Sequence, residues 1–220
     1  MGLFQRLKAA AAPEWAAYTQ HAFTDAMADA TLPERAFRHY LVQDYLFLIE
    51  FARAYALAVY KGPTLDDMRE GAAGLAAILD VEMGLHVKLC ANWGLLPEAL
   101  ERSVSEPETL AYTRYVLDAG MRGDLLSLKV ALAPCVIGYA EIGRWLDEDP
   151  ATLREGNPYE DWIAMYAGAD YQGVAAAAVD NLDALMDRRG GPGRLDSLVH
   201  AFRAATELEV AFWQMGLDSG

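Results

Sequence analysis

Apolar residues return at three- and four-residue steps along almost the whole chain, and no run alternates with period two over the length of a strand. In the stretch from Thr31 to Gly62, Phe37, Tyr40, Leu41, Tyr45, Leu48 and Ile49 keep that spacing. Such spacing lays apolar side chains along one face of a helix, whereas a sheet needs alternation. The chain therefore reads as all-α, a compact multi-helix bundle of roughly eight to ten helices given ordinary helix and loop lengths.

Punctuation residues set the expected boundaries. Pro13 kinks or divides an opening helical stretch. Thr31 is an N-cap candidate, with Glu34 completing a capping box and Pro33 in the first turn. Gly62-Pro63 ends that helix. A second long helix follows and ends near Gly94, then a short helical turn at "PEAL" and a helix through "LAYTRYVL". The segment 124–149 carries Pro134 inside it, and a proline there removes a backbone donor and crowds the carbonyl of Val130. Asn157 caps a short helix with Pro158 after it, and two further helices close the chain.

The 220 residues suffice for a single domain over 1–220 with one core. A hydrophobic content of 54% excludes a disordered chain. No apolar run is read as a membrane span of about 18 residues. The start "MGLFQRLKAAAAPEW" is read as lacking a secretory leader, and Arg6 stands where a myristoylation signal needs Ser or Thr. A formal net charge of −14 repels phosphate backbones, which argues against nucleic acid as partner. Two cysteines form no disulfide framework and lack zinc-site spacing, so a cytoplasmic location is expected.

Few residues stand out as chemistry rather than packing. Cys90 has no reactive neighbour and reads as a small apolar residue. Cys135 follows Pro134 and shares a helix face with Tyr139 four residues on. Asp44 with Phe47, Trp162 with Tyr166, and Glu209 with Phe212 and Trp213 recur at helical spacings. The aromatics are ordinary core, but Asp44 and Glu209 sit in apolar surroundings, and a buried carboxylate needs a partner or a ligand. Glu82 and His86, four apart, form half of a helical di-metal pattern, but no second Glu-x-x-His pair accompanies them, so no metal is assigned.

The stretches "FRHYLVQDYLFLIEFA", "EMGLHVKL", "LAYTRYVL", "ALAPCVIGYAEIG", "NPYEDWIAMYAG" and "ELEVAFWQM" together resemble the TenA family, thiaminase II, across nearly the whole chain. The resemblance implies a fold similar to haem oxygenase, a homotetramer, and no cofactor. It also implies a substrate that is thiamin or an aminomethylpyrimidine, converted to hydroxymethylpyrimidine. Carried over residue by residue, it makes Cys135 the nucleophile and Glu209 the proton donor. Asp44 binds the aminopyrimidine edge, Tyr139 and Tyr166 hydrogen-bond the substrate, and Tyr112 lines the site. Phe47 replaces a tyrosine common in the family, so a hydroxyl that sharpens the cysteine is missing unless Tyr45 supplies it. Asn157 and Leu208 depart from a frequent histidine and tyrosine.

These roles suit the residue types. Cysteine is intrinsically nucleophilic, a carboxylic acid can protonate the nitrogen that gathers charge, and a carboxyl matches the donor–acceptor edge of an aminopyrimidine. Two alternatives stay open at this level. One is a non-catalytic binding protein for thiamin or its pyrimidine, motivated by Phe47. The other is a metal-dependent oxidase using Glu82 and His86.

Overall fold

A computed structural model describes all 220 residues as helices joined by short loops, with no strand. Three short helices open the chain: α1 (Leu3–Ala10), α2 (Ala12–Thr19) and α3 (Ala22–Ala28). The 28-residue α4 (Glu34–Lys61) runs through the middle. Next come α5 (Leu65–Ala76), α6 (Met83–Asn92), the single turn α7 (Pro97–Glu101) and α8 (Pro107–Arg122). Then follow α9 (Leu125–Ala133), α10 (Tyr139–Glu148), α11 (Glu160–Ala167), α12 (Ala169–Arg189) and α13 (Arg194–Asp218).

Two of these boundaries are not chain breaks. π-helical segments at Ala77–Glu82 and Pro134–Gly138 join α5 to α6 and α9 to α10. Thirteen α-helices with two such joins make eleven continuous runs, slightly above the expected eight to ten. The surplus lies in the short pieces, because Pro13 splits the N-terminal stretch and α7 holds only one turn.

α4 packs against α5, α8 and α13, and α13 also packs against α2 and α9. The shared core is rich in fully buried rings, including Phe37, Phe202, Phe212 and Trp213. Burying each phenylalanine contributes roughly 1.5–3 kcal/mol. Thr64 and Asp124 cap α5 and α9 by accepting from the backbone N–H groups of Asp67 and Ser127.

Two expected caps are corrected. Thr31 does not cap α4, whose N-cap is Pro33. The chain turns through a left-handed Ala30 (φ 59°), and the N–H groups of Thr31 and Leu32 return to the carbonyl of Ala26. Thr31 thus closes α3, and its hydroxyl donates to Asp29. Asn157 is not the N-cap of α11 either, since Tyr159 holds that place. Its Oδ1 accepts from the Tyr159 N–H and its Nδ2 donates to the carbonyls of Met27 and Leu153, so it pins the loop to α3.

The run Leu125–Glu148 also corrects the reading of apolar stretches. By length and composition alone it could cross a membrane, but 83% of its most apolar window is buried inside the protein. Its apolar character belongs to its place in the core.

Candidate active site

The expected site residues arrive from six elements: Asp44 and Phe47 from α4, Tyr112 from α8, Cys135 from the second π-turn, Tyr139 from α10, Tyr166 from α11 and Glu209 from α13. Asp44 is 5% exposed and Glu209 only 1%, so both apolar-flanked carboxylates point inward. Each meets a partner, as a buried carboxyl must.

Asp44 sits between two groups. His86 Nδ1 lies 3.3 Å from its Oδ2, and the Tyr40 hydroxyl donates to the same oxygen at 3.4 Å. Trp162 Nε1 donates to the Tyr40 hydroxyl at 3.1 Å. The other ring nitrogen of His86, Nε2, is 2.9 Å from the carbonyl of Leu41. A carbonyl only accepts, so Nε2 carries a hydrogen and Nδ1 turns its remaining valence to Asp44. Burial pushes Asp44 up to about 7, against a smaller lowering by the Tyr40 bond. Burial pushes His86 down to about 4. Both shifts favour a neutral pair, with the Asp44 proton between Oδ2 and Nδ1.

Glu209 accepts a hydrogen bond from the Tyr112 hydroxyl at 2.8 Å through Oε1. Burial raises its pKa to about 8, although that bond works the other way. At neutral pH Glu209 is therefore mostly a carboxylic acid. With Oε1 accepting from Tyr112, the proton belongs on Oε2. Phe47 packs its ring 5.0 Å from that of Tyr112 and 5.8 Å from that of Phe212, forming the wall beside this acid.

Cys135 is the one partly exposed residue between Leu128 and Ala140, a stretch otherwise buried. Burial pushes its thiol well above the ordinary value, and the carboxyls of Glu209, Glu82 and Asp44 add to the rise. All three are thus within electrostatic range of the sulfur, and the resting group is a thiol rather than a thiolate. The π-turn is held by Tyr18, whose hydroxyl donates to the carbonyl of Pro134 at 3.3 Å. A Cβ on Gly138 would lie 2.2 Å from the Tyr18 ring, so this contact requires glycine. Tyr139 follows the turn and faces an aromatic group, with ring centroids 5.0 Å from Tyr166 and 5.3 Å from Trp213. Trp162 and Tyr166 pack at 4.5 Å, as their spacing predicts.

A cavity of about 620 Å³ opens beside this group. Tyr166 lines it, as do Val136, Tyr55, Tyr171 and Glu82. The other expected site residues do not line it. His86 spends both nitrogens on Leu41 and Asp44, while Glu82 lines the cavity, so the two do not converge as metal ligands. No three His, Cys, Asp or Glu side chains gather as a ligand set.

Sequence reasoning missed several members of the site. Tyr40, four residues before Asp44, was read only as core. Tyr55 and Tyr171 were not singled out, yet a charge on Cys135 would raise the pKa of both hydroxyls, as it would for Tyr18, Tyr40 and Tyr112. His86 stood in the sequence as half of a metal pair, whereas the fold makes it the partner of Asp44.

Comparison with known proteins agrees with the fold and shows the family. The family model described as TENA/THI-4/PQQC matches residues 8–219. A crystal structure described as a TenA family transcription regulator from Silicibacter sp. TM1040 superposes with a TM-score of 0.93 at 47% identity, covering 98% of this chain and 96% of that one. An aminopyrimidine aminohydrolase from Halalkalibacterium halodurans is 34% identical over 210 residues, covering 94% of this chain and 92% of its own. A second aminopyrimidine aminohydrolase, from Helicobacter pylori, is 28% identical over 205 residues, with coverage of 93% and 94%.

Proposed function

The chain belongs to the TENA/THI-4/PQQC family, and on that premise we propose that it is a hydrolase of thiamin salvage. Its reaction converts an aminomethylpyrimidine to hydroxymethylpyrimidine and ammonia, or cleaves thiamin into hydroxymethylpyrimidine and its thiazole. The observation that carries this reading is the meeting of one thiol with two buried carboxyls of displaced pKa, Asp44 and Glu209, in one aromatic-walled interior. The named activity of the relatives at 34% and 28% identity supports the same class.

In this reading Cys135 Sγ forms a bond to a ring carbon next to nitrogen, and that nitrogen takes a proton from Glu209 Oε2. The thiol proton replaces the one Glu209 gave, so H–S has been added across a C=N bond. The exocyclic ring amine then pushes its lone pair through the ring and expels the leaving group, as ammonia from the protonated aminomethyl group or as neutral thiazole from the quaternary ring, and the ring amine becomes positive. In this reading Asp44 lies along that edge, and as the charge forms its proton shifts onto His86 Nδ1, leaving a carboxylate beside the positive amine. Water adds to the exposed methylene carbon and loses a proton. The C–S bond then breaks, the ring regains aromaticity, and Cys135 recovers its proton. The net change is replacement of an amine or thiazole by hydroxyl, with no redox step. Tyr139 and Tyr166 hold the substrate, and Tyr112 fixes Glu209.

The same reading takes residues 1–220 as one domain, supported by a shared core that draws from α1 through α13. It places a homotetramer in the cytoplasm. Support comes from the family resemblance, two unpaired cysteines and exposed apolar side chains such as Leu79, Val81 and Leu110. A transcriptional role, as in the description of the Silicibacter relative, gains no support from a net charge of −14, which repels phosphate backbones.

The test offers metal-free protein thiamin and aminomethylpyrimidine separately and follows hydroxymethylpyrimidine by chromatography. Product from either supports the hydrolase, and the faster substrate defines it. Tight binding of both with no product replaces it with the binding-protein reading, which the absent hydroxyl at Phe47 favours. Activity that appears only with added iron replaces it with the oxidase.

A further inference from the structure

The cavity that leads to the site has a charge character of its own. Its lining includes Glu82, Asp161 and Asp170, and no lysine, arginine or histidine. Asp161 and Asp170 are exposed at the rim, whereas Glu82 is half-buried at the inner end. No side-chain or backbone hydrogen bond offsets the burial of Glu82, and the Asp44 carboxyl lies close enough to affect it. The remaining walls are mostly apolar, with the rings of Phe51, Tyr55, Tyr166 and Tyr171 among them. The hydroxyls of Tyr55 and Tyr171 are also without a hydrogen bond, and both lie within electrostatic range of Glu82.

A buried carboxylate without a partner is costly, and aromatic faces attract cations. Asp44 and Cys135 both lie within electrostatic range of Glu82, so a substrate held by those two groups can direct its leaving group toward Glu82 and the cavity. We propose that this cavity is a subsite for a positively charged organic leaving group, a protonated amine or a quaternised heteroaromatic ring, and that Glu82 is its specificity-determining residue. The proposal rests on the hydrolase reading for the identity of the leaving group. The charge preference itself is a property of the cavity.

Anions are disfavoured along the same path. Beyond Tyr55 and Val174 the cavity adjoins a smaller one of about 320 Å³. Its one cation, Lys129, is paired with Glu70 at 2.9 Å and sits 4.5 Å over the Tyr55 ring. The second oxygen of Glu70 is buried without a partner. A phosphate ester at the outer end of a substrate meets no free positive charge there.

The experiment measures binding and turnover separately. Calorimetric titration with N-methylthiazolium and with uncharged thiazole, on wild-type protein, reads the cavity without any catalysis. The cation is expected to bind at least about tenfold more tightly, and Glu82→Gln to remove most of that difference. Glu82→Asp should restore part of it. In turnover, kcat/KM for thiamin should fall about tenfold or more in Glu82→Gln, while a substrate analogue with a neutral methoxy leaving group changes by less than about threefold. The ratio of ratios cancels the intrinsic reactivity of the two leaving groups. Equal binding of cation and neutral ring by the wild type overturns the proposal even if Glu82→Gln fails to fold. Equal loss on both substrates overturns it too, because Glu82 then acts on structure or chemistry in general. Charge-selective binding without turnover leaves the subsite standing and removes the hydrolase reading instead.

Discussion

Two long helices in this molecule are each interrupted by a π-turn, and the two interruptions differ in almost every respect. The run 125–148 is interrupted at a proline, is buried along most of its length and carries Cys135 and Tyr139. The run 65–92 is interrupted without a proline, exposes Leu79 and Val81, and carries Glu82 and His86. A π-turn inserts an extra residue and shifts the faces on either side of it, and such turns favour functional sites. The proline-marked turn serves the reacting centre. The other presents His86 to Asp44 and Glu82 to the inner end of the cavity. A break dictated by a local residue type can be read from sequence, whereas a break imposed by tertiary packing cannot.

The largest effect should come from the proline-marked turn. Cys135→Ala is expected to lower kcat by a factor of roughly a thousand or more, since the covalent route is lost. Steady-state kinetics with far-UV circular dichroism as a fold control checks it. A smaller loss, about 10²–10³-fold in kcat, is expected for Glu209→Gln, which keeps the shape but has no acidic proton.

Glu209→Gln also carries a stability prediction of definite sign. The folded pKa of Glu209, about 8, lies above its ordinary value of 4.5. Between those values the folded protein holds a proton that the unfolded chain has released. Its contribution to stability is therefore whole below about pH 4.5 and is lost as pH rises through about 8. At pH 9 the wild type carries a buried charge that glutamine does not. The melting temperature of Glu209→Gln should exceed that of the wild type there by several degrees, roughly 2 kcal/mol, and the gain should shrink toward pH 5. Wild-type turnover should fall as pH rises past about 8 and Glu209 loses its proton. Differential scanning calorimetry and a pH–rate profile read the two effects.

Pro134→Ala sharpens the comparison of the two turns. It returns a backbone N–H to the interrupted helix and relieves the clash that proline imposes. A change of about tenfold in kcat with little loss of stability is expected, because the turn aims Cys135 more than it supports the core. The smallest effect is expected from Phe47→Tyr. Its ring lies beside Tyr112 and Phe212, and an added hydroxyl there should raise kcat by only a few-fold.

Much of this was legible beforehand, for physical reasons. The all-α class followed from periodicity, and the ends of α4 and α6 followed from Gly62 and Gly94. The inward aim of Asp44 and Glu209 followed from charge set among apolar neighbours. Their partners did not. His86 reaches Asp44 across 42 residues of sequence and Tyr112 reaches Glu209 across 97, and no local pattern announces such meetings. Thr31 matched a capping box that the left-handed turn at Ala30 overrides, because its hydroxyl is drawn to Asp29. Tyr55 and Tyr171 looked like any other core aromatics until the fold set their hydroxyls near Cys135 and Glu82.

The two interrupted helices also hold the two cysteines. Cys90 is fully buried on α6, and burial pushes its thiol up to about 12. Cys135 stands partly exposed on the second π-turn, with three carboxyls in range. The most direct measurement compares Cys135→Ala with Cys90→Ala in the formation of hydroxymethylpyrimidine by metal-free, folded protein. The account predicts product from Cys90→Ala and none above background from Cys135→Ala. Turnover by Cys135→Ala near the wild-type rate would contradict it.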